Sequence, residues 1–126
     1  MADSFLQTLE KVAIEDKTSV ALSVLNEFCQ AIRDYTEQKL ECGAKQGFLV
    51  NLGQEWKVII KPAGRDFEQI LLRAYVPFSG FITTLDLYGD ALIACHDEAE
   101  LRENLAEFLR SKTIVETLLF LKKQAQ

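Results

Sequence analysis

The chain of 126 residues carries 19 Asp+Glu against 14 Lys+Arg, a formal net charge of -5, with 48% hydrophobic residues and two prolines. Its length predicts one α+β domain over residues 1–126, since domains cluster near roughly 100–150 residues. Its apolar content excludes a disordered chain, and six glycines with two prolines exclude collagen-like and low-complexity classes.

Residues 1–15 contain Asp3 and Glu10 within an amphipathic pattern. They lack the basic start and unbroken apolar stretch of a secretory signal. The longest apolar runs are short, as at Leu118–Leu121, far below the about 20 residues of a membrane span. The expectation is a cytoplasmic protein without membrane contact. Cys29, Cys42 and Cys95 form no C-x-x-C pair and are expected as reduced thiols. Cys29 and Cys95 fall in apolar patterns, whereas Cys42 precedes Gly43 at an expected helix end and is the one expected to be exposed. No basic tract is present to neutralise phosphates, so nucleic acid is not an expected partner.

Along the chain, Ser4 and Gln7 have capping-box spacing, and Phe5, Leu6, Leu9, Val12 and Ala13 recur at helical intervals. A second cap or bend falls at Asp16–Ser19. Val20, Val24, Leu25, Phe28, Ile32 and Tyr35 continue the helical period. This predicts one bent helix or two, ending near Leu40 with Gly43 as a left-handed stop. The pattern changes at Gly47. Strands are predicted at 48–52, around Trp56–Lys61, at 67–76, at 81–88 and at 91–95, with turns at Gly53-Gln54, Pro62–Gly64, Pro77–Gly80 and Gly89-Asp90. Asp97, with Glu100 three positions later, predicts a capped helix carrying Leu101, Leu105, Phe108 and Leu109. Ser111 predicts the cap of a last helix carrying Ile114, Val115, Leu118 and Leu119, with Lys122 and Lys123 in its final turn. The gaps between strands are too short for crossover helices. The expected fold is therefore a five-stranded antiparallel meander flanked by N-terminal and C-terminal helices, which must cover at least one sheet face.

Chemistry-bearing residues are sparse. His96 is the one histidine. Imidazole titrates near neutrality and could serve as a base or ligand, but a multi-histidine metal site is excluded. Cys95 and His96 are adjacent, so a strand would point them to opposite faces. The Ser79 turn lacks the glycine two residues earlier that a nucleophile elbow requires, and the isolated glycines form no phosphate loop. No metal, cofactor or catalytic residue is expected. Lys57, Ile59 and Lys61 should share one side of the second strand, and Gln69, Leu71, Arg73 and Tyr75 one side of the third. Together they form a mixed basic and apolar face suited to an acidic peptide or protein. Phe78 beside the Pro77–Gly80 turn, and Phe120 on a last helix that is apolar beyond a narrow stripe, are candidate contacts for a partner or a second copy. An edge strand offers a further binding mode.

Small size, acidity and a helix-flanked antiparallel sheet make the chain similar to bacterial secretion chaperones and related adaptors. It departs from them at Pro77–Gly80, where their strands are usually interrupted by a helix. The sequence thus points to a small non-enzymatic protein-interaction module, adaptor or chaperone-like, that binds a protein partner or itself as a homodimer through Lys57, Lys61, Arg73, Tyr75, Phe78 and Phe120. The alternative is a small-molecule-binding domain or minor enzyme with a site between sheet and helices near His96, Trp56 and Tyr88.

Overall fold

The computed structural model describes residues 2–11, 17–50, 52–87 and 92–126. Two N-terminal helices, α1 (Ala2–Lys11) and α2 (Thr18–Tyr35), precede five strands: β1 (Leu40–Val50), β2 (Gly53–Pro62), β3 (Gln69–Pro77), β4 (Thr83–Asp86) and β5 (Leu92–Cys95). Two helices, α3 (Glu98–Leu109) and α4 (Lys112–Lys123), follow. The strands form one sheet in the order β1-β2-β3-β4-β5, with every neighbouring pair antiparallel. The helices are separated from the strands along the chain, so the fold is α+β with the expected meander.

Period-two alternation directs one set of strand side chains into the core. Leu40 and Cys42 on β1, Val58 and Ile60 on β2, Leu72, Ala74 and Val76 on β3, Leu85 on β4 and Cys95 on β5 are all buried there. They pack against Ala21, Val24, Leu25, Phe28 and Ile32 of α2, Leu101, Leu105 and Phe108 of α3, and Ile114, Leu118 and Leu121 of α4. The helical residues follow three- and four-residue steps, which gather them into one stripe per helix. The alternate strand positions fall on the opposite face, away from this layer.

Several boundaries differ from expectation. α2 stops at Tyr35, well before Leu40. Its end is set by Thr36, whose hydroxyl donates to Ile32 O at 2.8 Å, and by Glu37 and Gln38, which take positive φ values of 55° and 64°. The Gln38 amide then closes on Arg33 O at 2.8 Å. Gly43 is not the helix stop; it lies within β1, opposite Ile59. Cys42 is consequently buried on β1 rather than exposed at a helix end. Residues 48–50 of the expected short strand at 48–52 are the distal part of the longer β1, and Leu52 lies in the turn that follows. Gly53 opens β2 opposite Val50, so the hairpin turn precedes Gly53-Gln54. β4 is shorter than expected, and Val12, Ala13, Asp16, Tyr88 and the Gly89-Asp90 turn lie outside the described residues. Ser4 lies inside α1, where its carbonyl accepts from Thr8 Oγ1 at 2.8 Å, rather than at an N-cap.

The cap at Asp97 is present. Its Oδ1 accepts from the Glu100 amide at 2.8 Å, while Glu100 Oε1 reaches back to the His96 amide at 3.2 Å. The reciprocal contact is thus displaced by one residue from a standard capping box. Asp97→Ala should destabilise the protein by about 1 kcal/mol through loss of this acceptor, measured by urea denaturation. An unchanged midpoint would show that the cap contributes nothing. The ion pair between Arg102 of α3 and Glu27 of α2 ties these helices at the surface, and its hydrogen bond holds the Glu27 carboxyl below the usual carboxylate range.

Candidate functional site

The helix-free sheet face holds most of the residues expected to contact a partner. Lys57 and Lys61 lie on β2, and Arg73 and Tyr75 on β3; register places Lys57 opposite Arg73 and Glu55 opposite Tyr75. Ladder pairing extends this row to Lys45 on β1 and Asp86 on β4. Lys45, Lys57 and Arg73 therefore stand side by side across three strands. Like charges directly opposite one another are destabilising unless offset. The outer two are offset: Lys45 Nζ lies 3.4 Å from Glu68 Oε2, and Arg73 Nε lies 3.8 Å from Glu55 Oε2. Lys57, in the middle, has no ion pair among the described residues; its ammonium sits 5.7 Å from the centroid of the Phe48 ring, within cation–π range. Lys61 pairs with Glu41 at 3.7 Å.

The third-strand set needs one correction. Gln69, Leu71, Arg73 and Tyr75 do not share a side. Register shifts between Val58 and Ile59, so that Leu72 pairs with Val58 but Ile70 pairs with Ile59. This bulge inserts one residue and reverses the phase. Leu71 joins the core, and Ile70 occupies the position beside Ile59. A shallow cleft lined by Gly43, Lys45, Ile59, Lys61 and Glu68 opens on this same face. Lys45 and Glu41 were missed because residues 40–45 read as a helix end, and Glu68 because unbroken alternation over 67–76 set it on the side opposite Arg73. The alternation of Leu40, Cys42 and Ala44 with Glu41, Gly43 and Lys45 is the period-two signal that could have found the first two.

Glu55 is buried at the edge of the row, with Oε2 toward Arg73 and Oε1 without a hydrogen-bond partner. Its Gln54 neighbour reaches across the irregularity in β1, where Nε2 donates to Gly47 O at 2.7 Å and to Phe48 O at 3.2 Å. These contacts hold the distal part of β1 against β2 despite the broken ladder.

Phe78 is exposed in the β3–β4 turn, and Phe120 is exposed on α4. Phe120 belongs to the helical layer, so the structure does not bring it to the sheet face. Beside α4, an apolar cleft is lined by Ile32, Tyr35, Leu109, Val115 and Leu118.

His96 and Trp56 stand apart. His96 is exposed beyond β5, where Nδ1 lies 2.8 Å from Glu100 Oε1. Trp56 sits on the helix-facing side of β2, packed at the margin of the core, and its buried Nε1 has no partner. Neither lines the clefts described above, and Tyr88 lies outside the described residues. Cys95 faces the core rather than His96 and receives a hydrogen bond from Asn104 Nδ2 at 3.5 Å. Burial raises its thiol pKa, opposed by that contact. At the α2–β1 contact, the Cys42 thiol holds Cys29 below the ordinary thiol value against the opposing effect of burial, with Arg33 assisting. Cys29 and burial in turn push the Cys42 thiol up. No group of three or more His, Cys, Asp or Glu residues is placed to hold a metal among the described residues, and no described helix is long and apolar enough to cross a membrane.

The chain matches no family model, and no curated protein or solved structure matches it significantly.

Proposed function

We propose that the protein is a non-enzymatic interaction module, adaptor or chaperone-like, whose helix-free sheet face docks an acidic segment of a partner protein. The observation that carries this reading is the row Lys45–Lys57–Arg73, whose central ammonium lacks a carboxylate partner among the described residues. A carboxylate brought by a partner would relieve the cross-strand repulsion at Lys57 and gain charge-assisted hydrogen bonds. Ile70, exposed, and Tyr75, half-buried, supply apolar surface around the row. Such recognition orients and selects a partner more than it adds affinity. The working compartment proposed for this activity is the cytoplasm.

The test uses a fluorescent glutamate-rich peptide and anisotropy at low and high salt. Wild type should bind at low salt and weaken as salt screens the row. The Lys57→Glu, Arg73→Glu double variant should lose at least about tenfold in affinity, the scale set by 1.4 kcal/mol, with its circular dichroism unchanged. Equal binding by the variant, or none by wild type at low salt, would overturn the reading.

A further inference from the structure

A second surface, at the end of the sheet and adjoining the charged row at Tyr75, carries a further conclusion. α1 is amphipathic, yet its apolar face is bare: Phe5 and Leu9 are 76% and 70% exposed, and Leu6 is exposed beside them. At one end of the sheet lies a second bare apolar surface. Leu52 at the β1–β2 turn is 81% exposed, and Phe48, Leu49, Phe78 and Ile82 are exposed around it. Between the β1–β2 turn and the β3–β4 connection, a groove is lined by Val50, Leu52, Tyr75, Pro77 and Ile82.

Hydrogen bonds fix this end of the molecule. The Phe78 amide donates to Leu52 O at 2.9 Å, and the Lys17 amide donates to Phe78 O at 3.0 Å. The hairpin tip, the β3–β4 turn and the start of α2 are thereby joined, and no described residue of α1 lines the groove.

We infer that two copies of this chain exchange α1, each laying Phe5, Leu6 and Leu9 into the groove of the other. An amphipathic helix in an apolar groove is a recurring recognition mode, read through anchors three and four residues apart. Phe5, Leu6 and Leu9 have that spacing. The areas match what a stable dimer needs. A fully buried aromatic side chain removes about 150–250 Å² from water, so the exposed anchors of one α1 and the walls of one groove contribute on the order of 300 Å² each. A reciprocal pair of such contacts buries roughly 1,200 Å², the lower bound of stable interfaces. The arrangement is isologous, each copy giving and receiving the same helix, and it closes at two chains.

Sedimentation equilibrium of the full chain, from low to high micromolar concentration, tests this. Wild type should double its mass with concentration. Leu6→Asp with Leu9→Asp, and separately Leu52→Asp with Ile82→Asp, should each remain monomeric; all four side chains are exposed, and circular dichroism will show that both variants are folded. A wild type that stays monomeric throughout, or a dimer that survives either variant, would overturn the exchange. Lys57→Glu with Arg73→Glu should leave the dimer intact, which separates failure of this inference from failure of the sheet-face reading.

Discussion

Leu105→Ala should lower the stability of the fold by about 2–5 kcal/mol, the cost of deleting a fully buried leucine side chain and leaving a cavity. Leu105 is 3% exposed. It belongs to the α3 stripe with Leu101 and Phe108, inside the cluster shared with α2 and the sheet. The lost methyl groups give up transfer free energy, and close packing allows the neighbours to collapse only partly into the space. Urea denaturation of both proteins measures the difference. A loss below about 1 kcal/mol would contradict full burial of this position. Leu119 on α4, exposed to solvent, is the matched control: truncation there should cost far less.

Gly80→Ala is the second large effect. Gly80 has φ 93°, and a Cβ added there would lie 2.7 Å from Lys17 O, a backbone atom. The alanine would therefore carry both left-handed strain and an approach that no side-chain rotation relieves, together costing about 1–3 kcal/mol. It would also push the start of α2 away from the β3–β4 turn and weaken the bond from the Lys17 amide to Phe78 O. Thermal melts and amide exchange at Lys17 report the two consequences. Gly43→Ala is the contrasting substitution, since nothing lies within 4 Å of the added atom and the residue is in a strand; it should be near neutral. Equal stability of Gly80→Ala and wild type would remove the assigned role of this glycine.

Different elements were legible to different degrees. α3 and its Asp97 cap were readable because both depend on residues three and four apart along one segment. The meander was readable because short gaps forbid crossover helices, whatever the details of pairing. β1 was half missed: Leu40–Lys45 continues directly from a long helical pattern, and Gly43 imitates a helix stop. The structure ends α2 earlier through Thr36 and the left-handed pair Glu37 and Gln38, residue types that do not announce such a conformation. Lys57, Lys61, Arg73 and Tyr75 were correctly grouped on one face, but Leu71 was placed with them because a bulge changes phase without a distinctive residue. The bare groove at the sheet end was not legible, since Leu52 and Ile82 meet only when two connections separated by a whole hairpin are brought together.

The order of helices and strands, their antiparallel arrangement and the separation of apolar from polar stripes were determined by the sequence alone, because these follow from local periodicity and short connections. Which sheet face the helices cover, where the register slips, which cations stand opposite one another and which apolar side chains of α1 and the sheet end remain bare were decided only by the tertiary structure. Alternation says that a strand has two sides, but the choice between them and the alignment of neighbours are settled by hydrogen bonding and packing between segments far apart in the chain.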